Sequence, residues 1–247
     1  MTGHGHPAPD AEFWPLALMW FGMMAMMMAP TAWPWVRAFH RFSDAGGSPE
    51  VAGTARFAAG YLLAWCGYAA GAAVMQRALQ GTTLMAASGD AVVPWMGAVI
   101  FLIAGLYQFA PLKRACLTHC RTPLGYFLTR WRNGPMGAFH MGLHHGLFCV
   151  GCCWALMATA FAVGTMNPWW MGALGVLALG EQIAPHGRML RRGLGAVFLA
   201  AGIFALGVLV NQSLTARSAG SRARPGTAPS PQPASDVTKR WNPNHTI

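Results

Sequence analysis

The chain has 247 residues, of which 54% are hydrophobic and only 10% are charged, and its formal net charge is +10 at pH 7. Since soluble domains carry about 25% charged residues, this composition excludes an ordinary soluble protein and predicts the lipid bilayer as a partner. The basic residues lie between apolar runs, where the preference of membrane proteins for positive cytoplasmic loops explains them, so no nucleic-acid partner is expected.

Six apolar runs are long enough to be candidate membrane spans, and they lie near residues 14–36, 57–75, 93–112, 138–164, 168–184 and 194–210. A membrane helix needs about 20 residues, with a range of roughly 17–25. We therefore predict an all-α protein, a polytopic transmembrane helix bundle with about six spans within residues 13–212. Residues 1–12 are predicted to form a short extramembrane tail. Residues 213–247, which are basic and rich in Pro and Ser, are predicted to be disordered.

The basic residues also predict an orientation. Eleven of the 17 Lys and Arg residues lie in the connections after the first, third and fifth runs. These connections are therefore predicted to be cytoplasmic, with both termini on the opposite side.

Soft metal donors appear in the first run, "MWFGMMAMMMAP". Methionine thioethers suit Cu(I), but methionine is also an ordinary filler of apolar cores. We interpret this stripe mainly as core. The single cysteine of the second run, Cys66, is interpreted in the same way.

The first cysteine cluster follows the third run, in "PLKRACLTHCR". Cys116 and Cys120 are four residues apart, so a short helix would place both thiols on one face. Lys113, Arg114 and Arg121 surround them and are expected to lower the thiol pKa at a cytoplasmic mouth. A pair of ordinary surface thiols is the alternative.

The second cluster, "HHGLFCVGCCW" at 144–154, lies inside the fourth run. At 100° per residue, His145, Cys149 and Cys152 fall on one helix face, with Cys153 at its edge. Polar groups within membrane spans are costly and are functional by default. A site shared with a neighbouring helix is geometrically possible, because Gly142 and Gly146 form a G-x-x-x-G pair that permits close approach.

Glu181, in "LALGEQIAP", is the one carboxylate within a predicted span. A glutamate in this environment pairs with a cation, belongs to a proton path or binds a metal. The simpler alternative is an interfacial residue that reaches the lipid headgroups.

These motifs resemble a bacterial family of predicted metal-binding integral membrane proteins. The similarity rests on "MMAMMMAP", "GLYQFAPLKRACLTHCRTPLGYFL" and "GLHHGLFCVGCCWALM", and it covers most of residues 13–210. It implies a multi-pass protein of the inner membrane with a metal site. The positions that match are Cys116, Cys120, His145, Cys149, Cys152, Cys153 and Glu181. Members often have Glu-Lys where this chain has Glu181-Gln182, so the chain lacks that neighbouring lysine.

Two main classes of function follow. The first is the binding of a soft or borderline metal ion, copper or zinc, for delivery or transport, with a metal-delivery protein or another membrane subunit as partner. The second is a membrane thiol–disulfide shuttle that uses Cys149 and Cys152. A structural subunit of a membrane complex is a third alternative. We favour metal handling, because the extra histidine and cysteine ligands suit a coordination sphere. No nucleotide-binding motif supplies energy, so delivery or permease-like transport is favoured over pumping. The protein is predicted not to be an enzyme.

Overall fold

Helices account for nearly all of the part of the chain that the structure describes, residues 9–45, 51–80, 82–85, 91–164 and 167–222 of a computed structural model. An isolated bridge joins Met85 to Val92. The described helices, in chain order, are α1 (Pro9–Ala45), α2 (Val51–Gln80), α3 (Pro94–Phe109), α4 (Pro111–Cys120), α5 (Pro123–Arg130), α6 (Pro135–Ala158), α7 (Ala160–Val163), α8 (Pro168–Ile183) and α9 (Gly187–Arg222). The all-α prediction is confirmed.

Four segments of the described chain are long and apolar enough to cross a membrane: Phe13–Asp44, Val51–Gln80, Met136–Val163 and Gly187–Ser218. The pair α3 and α4 makes a fifth if its bent halves count as one span. α8, with 16 residues, is roughly 24 Å long and does not reach across a hydrocarbon core of about 30 Å. The predicted number of six spans is therefore not confirmed.

The third apolar run forms α3, and the cysteine segment that follows it forms a separate short helix, α4, as the sequence predicts. The two helices are bent by 66°, and Ala110 between them has extended backbone angles. Pro111 explains the break, because proline has no N–H to continue the helix and forces the preceding residue out of the α region. The bend turns α4 towards α6.

The last helix continues past residue 213, where the sequence predicts the disordered tail to begin. α9 extends to Arg222. The segment "NQSLTARSAGSR" contains no proline, so the helix that has formed over the apolar run continues through it. The rest of the predicted C-terminal tail, and residues 1–8 of the N-terminal one, lie outside the described residues. Residues up to 209 form one compact unit, and a second unit begins at Val210.

Close packing of α2 against α6 depends on glycines. A Cβ at Gly142 would collide with the carbonyl oxygen of Phe57, and a Cβ at Gly60 would collide with that of Phe139. At Gly146 a Cβ would lie 2.8 Å from the Cβ of Ala64. The predicted G-x-x-x-G approach is confirmed, and the neighbouring helix is α2.

Replacing Gly142 by Ala should therefore separate the two helices and destabilise the protein. Overpacking a tight contact costs about 1–3 kcal/mol, so the Tm of the detergent-purified protein should fall by several degrees. Gly71→Ala is the matched control on α2, since nothing lies within 4 Å of its added Cβ. Equal Tm values for the two variants would contradict the packing described here.

Candidate metal centre

Three thiols meet at one point on α6. The Sγ atoms of Cys149, Cys152 and Cys153 all lie within 4.8 Å of one another, and all three residues are buried. The Sγ atoms of Cys152 and Cys153 are 3.2 Å apart. Cys153, which the sequence places at the edge of the face, is a full member of this group. We call these residues the thiol triad.

A fourth thiol comes from α4. The Sγ of Cys120 lies 4.0 Å from the Sγ of Cys152, so the two cysteine clusters lie together. Cys116 is also buried, and its sulfur packs against Gly151 of α6. The alternative of ordinary surface thiols is therefore wrong, because the bend at Pro111 lays α4 on α6.

Two uncharged polar groups contact the triad. Gln182 of α8 places its Nε2 at 3.9 Å from the sulfur of Cys149 and at 4.0 Å from each of the sulfurs of Cys152 and Cys153. The hydroxyl of Tyr61, on α2, lies 3.4 Å from the sulfur of Cys149. Groups that donate hydrogen bonds stabilise a thiolate, so both side chains favour the form of cysteine that binds metal.

Glu181, beside Gln182, forms an ion pair with a lysine from a distant part of the sequence. Its Oε2 lies 2.7 Å from the Nζ of Lys113, and both side chains are almost completely buried. Its Oε1 has no hydrogen-bond partner among the described residues. The pair joins α4 to α8, and it fixes the two helices that carry Cys120 and Gln182. The sequence suggests that Lys113 lies beside the thiols of its own segment. The structure pairs it with Glu181 instead.

Arginines satisfy the helix ends around the centre. Arg121 donates to the carbonyl oxygens of Gln182 and Ala184 at the end of α8, and Arg191 of α9 donates to that of Gln108 at the end of α3. The last carbonyls of a helix lack partners within the helix and carry partial negative charge. Each arginine therefore stabilises a helix that ends inside the protein.

His145 lies one turn before Cys149 on α6, but its ring nitrogens are not part of the group of close ligand atoms. Its ring stacks on Trp35, with ring centroids 3.7 Å apart. Neither ring nitrogen has a hydrogen-bond partner within the described part of the chain. Its role as a metal ligand stays a prediction.

The remaining sulfur groups lie away from the triad or serve as core. Cys66 is exposed on α2, so its interpretation as a core residue is wrong. Met24 and Met28 are completely buried, whereas Met26 is 79% exposed. The prediction of core is therefore confirmed for only part of the stripe; Met19, Met23, Met26 and Met27 line a groove with α8.

Sequence reasoning missed Gln182, Tyr61 and Lys113. Gln182 and Tyr61 are polar residues inside apolar runs, a signal that could have found them. Lys113 was assigned to the cysteines beside it in sequence, because no local pattern shows that it reaches α8.

Comparison with known families gives a match over most of the chain. The model of the PpoB2 family, described as a copper chaperone, matches residues 17–205. The chain belongs to this family. Neither the curated proteins nor the solved structures give a match to the chain. The matched range contains the triad, Cys120 and the Lys113–Glu181 pair, and the four soft thiolate donors suit copper in its reduced form, Cu(I).

The Lys113–Glu181 pair can be tested by stability. Lys113→Met should destabilise the protein by about 3–5 kcal/mol, because it leaves the Glu181 carboxylate buried without a cation. Lys113→Met with Glu181→Met should recover most of that loss. The measurement is Tm in detergent, with Arg114→Met as the control at the exposed neighbouring position. A double variant no more stable than Lys113→Met would contradict the pairing.

Proposed function

We propose that this protein is a membrane-embedded copper chaperone that holds one Cu(I) ion on the thiol triad and passes it to a partner protein. The observation that carries the proposal is the convergence of three buried thiols within 4.8 Å. Three sulfur atoms about 2.3 Å from a shared ion would lie roughly 4 Å apart. The triad needs only small side-chain movements to reach that spacing.

The chemistry of the donors favours copper over zinc. Cu(I) binds well to two or three sulfurs, whereas a structural zinc site takes four N or S ligands in a tetrahedron. The family description also names copper. Copper is the cargo here, so the site must release it as well as bind it.

Cys120 gives the site a means of exchange. It belongs to α4 and not to α6, and its sulfur is 4.0 Å from that of Cys152. A Cu(I) ion can thus gain a Cu–S bond to Cys120 while it loses one to a triad cysteine, without a change of oxidation state. Thiol-by-thiol exchange of this kind needs no nucleotide, which suits delivery to a partner better than pumping.

Membrane insertion is supported by the outer surfaces of the helices. Large apolar side chains such as Met26, Trp169, Val176 and Phe204 are each more than 70% exposed. Large apolar side chains exposed to this degree on several helices suit a bilayer or a partner protein. The four or five candidate spans provide the length, and the inner membrane is the proposed location.

The proposal predicts a single copper site that depends on the triad. Purified protein titrated anaerobically with Cu(I), in competition with a colorimetric chelator, should bind one equivalent tightly. Cys149→Ser and Cys152→Ser should each weaken binding by about tenfold or more, since even loss of a group that supports a metal ligand costs 10–100-fold. Cys66→Ser is the control and should bind as the wild type does.

The thiol-shuttle alternative gives the opposite result. A wild-type protein that binds no Cu(I), but forms a reversible disulfide between Cys149 and Cys152 and traps a partner thiol, would overturn the copper proposal. All six cysteines are free thiols in the structure.

The proposed topology places residues 121–134 in the cytoplasm and residues 164–167 on the opposite side. A reporter active only in the cytoplasm should therefore give signal when fused after Gly134 and none when fused after Asn167. The reason is the excess of basic residues in the connection between α4 and α6. The reverse pattern would invert the orientation.

A further inference from the structure

Three histidines lie together on one side of the thiols. The ring centroids of His119 and His144 are 5.3 Å apart, and those of His119 and His145 are 6.3 Å apart. His119 directly precedes Cys120 on α4, and His145 precedes Cys149 by one turn of α6. The histidine cluster therefore lies next to Cys120 of α4 and Cys149 of α6.

Buried ring nitrogens without a hydrogen-bond partner among the described residues distinguish this cluster. His119 Nε2, His144 Nδ1 and both ring nitrogens of His145 are buried without a hydrogen-bond partner in the described part of the structure. A buried polar atom without a partner is destabilising. A neutral imidazole carries one nitrogen with a free electron pair, and a metal ion is a ligand that accepts such a pair from each ring.

Aromatic side chains fix the orientation of each ring. His119 stacks on Phe148 with centroids 4.2 Å apart, His144 stacks on Tyr126 at 5.5 Å, and His145 stacks on Trp35 at 3.7 Å. Stacking covers the face of an imidazole and leaves its edge, where the nitrogens lie, free to bind. His119 and His144 are also inclined at 70° to each other, so the edge of one ring faces the other.

The cluster borders a cavity. A space of about 520 Å³ beside α6 is lined by His140 and His144, four residues apart, together with Arg130 and Arg132. This volume is in the usual range of small-molecule sites. The two arginines disfavour a bare copper cation and attract an anion, so the carrier that fits is an anionic Cu(I)–thiolate complex of a small thiol.

We propose that His119 and His144 form a loading site, where Cu(I) from an anionic thiol complex in this cavity is bound before it passes, by way of His145, to Cys120 and the thiol triad. As the carrier's Cu–S bond breaks, a Cu–N bond to His144 and His119 forms and the carrier leaves as thiolate. A Cu–S bond to Cys120 or Cys149 then replaces Cu–N, and the proton of that cysteine is taken up by the thiolate that the carrier has released. Copper remains Cu(I) throughout.

This inference rests on the proposed function, and its experiment separates the two. Protein in detergent is mixed rapidly with one equivalent of the Cu(I) complex of glutathione, and loading is followed by the copper that stays with the protein after rapid desalting at increasing times. His119→Gln and His144→Gln should each slow loading by roughly tenfold, comparable with the loss of a group that supports a metal site. Their final copper stoichiometry should equal that of the wild type, because the triad is intact.

His186→Gln is the matched control, since His186 is an exposed histidine between α8 and α9. It should load at the wild-type rate. Loading of His119→Gln and His144→Gln at that same rate would overturn the loading site and leave the copper function standing. Slow loading together with a lower final stoichiometry would also overturn it, because the histidines would then belong to the final site. A wild type that takes up no copper would overturn the proposed function itself.

A second measurement detects the site directly. Wild-type protein given copper beyond saturation of the triad should show added nitrogen neighbours in copper X-ray absorption spectra. His144→Gln should lose that nitrogen contribution and keep the sulfur one. An unchanged spectrum would contradict copper binding by His144.

Discussion

The buried ion pair between Lys113 and Glu181 is the interaction on which the centre depends. Their 2.7 Å contact is almost completely buried, and it connects α4 to α8, two helices that are far apart in the sequence. A buried charge without its partner is strongly destabilising, so α4 and α8 are constrained to move together. Cys120 and Gln182, carried by these helices, are thereby held against the thiols of α6. Arg121 and Arg191 extend the same arrangement by donating to the carbonyls at the ends of α8 and α3.

Helices that stop inside the protein create the space for this chemistry. An uninterrupted bundle would bring only side chains to the middle, whereas the break at Pro111 and the short α8 bring helix ends there. In an apolar environment such ends are tolerated only where polar groups satisfy them. The α2–α6 contact through Gly60, Gly142 and Gly146 is the opposite case, a long helix pair whose close approach leaves no room. The α2–α6 pair carries the thiol triad on α6, and the interrupted helices supply Cys120 and Gln182 around it.

Local patterns predicted the helices and the donors on α6, because period and burial are properties of neighbouring residues. The face with Cys149 and Cys152 and the role of Gly142 follow from spacing alone. What the sequence could not show are the contacts between distant segments. Lys113 lies beside two cysteines in sequence yet pairs with Glu181, and the edge position of Cys153 on an ideal helix still allows its sulfur to join the triad. The break at Pro111 was signalled by the proline itself, but the direction of the bend depends on packing against α6.

The neutrality of Gln182 has a consequence for protons. It brings an amide and no positive charge to the triad, while the nearby Lys113 is already paired. A cysteine binds metal as thiolate, so each metal–sulfur bond formed would send a proton out of the centre, and neither of the side chains described above as contacting the triad, Gln182 and Tyr61, is a cation that would stabilise negative charge left behind. In the proposed function, copper uptake is then coupled to proton loss, and acid favours release of the ion.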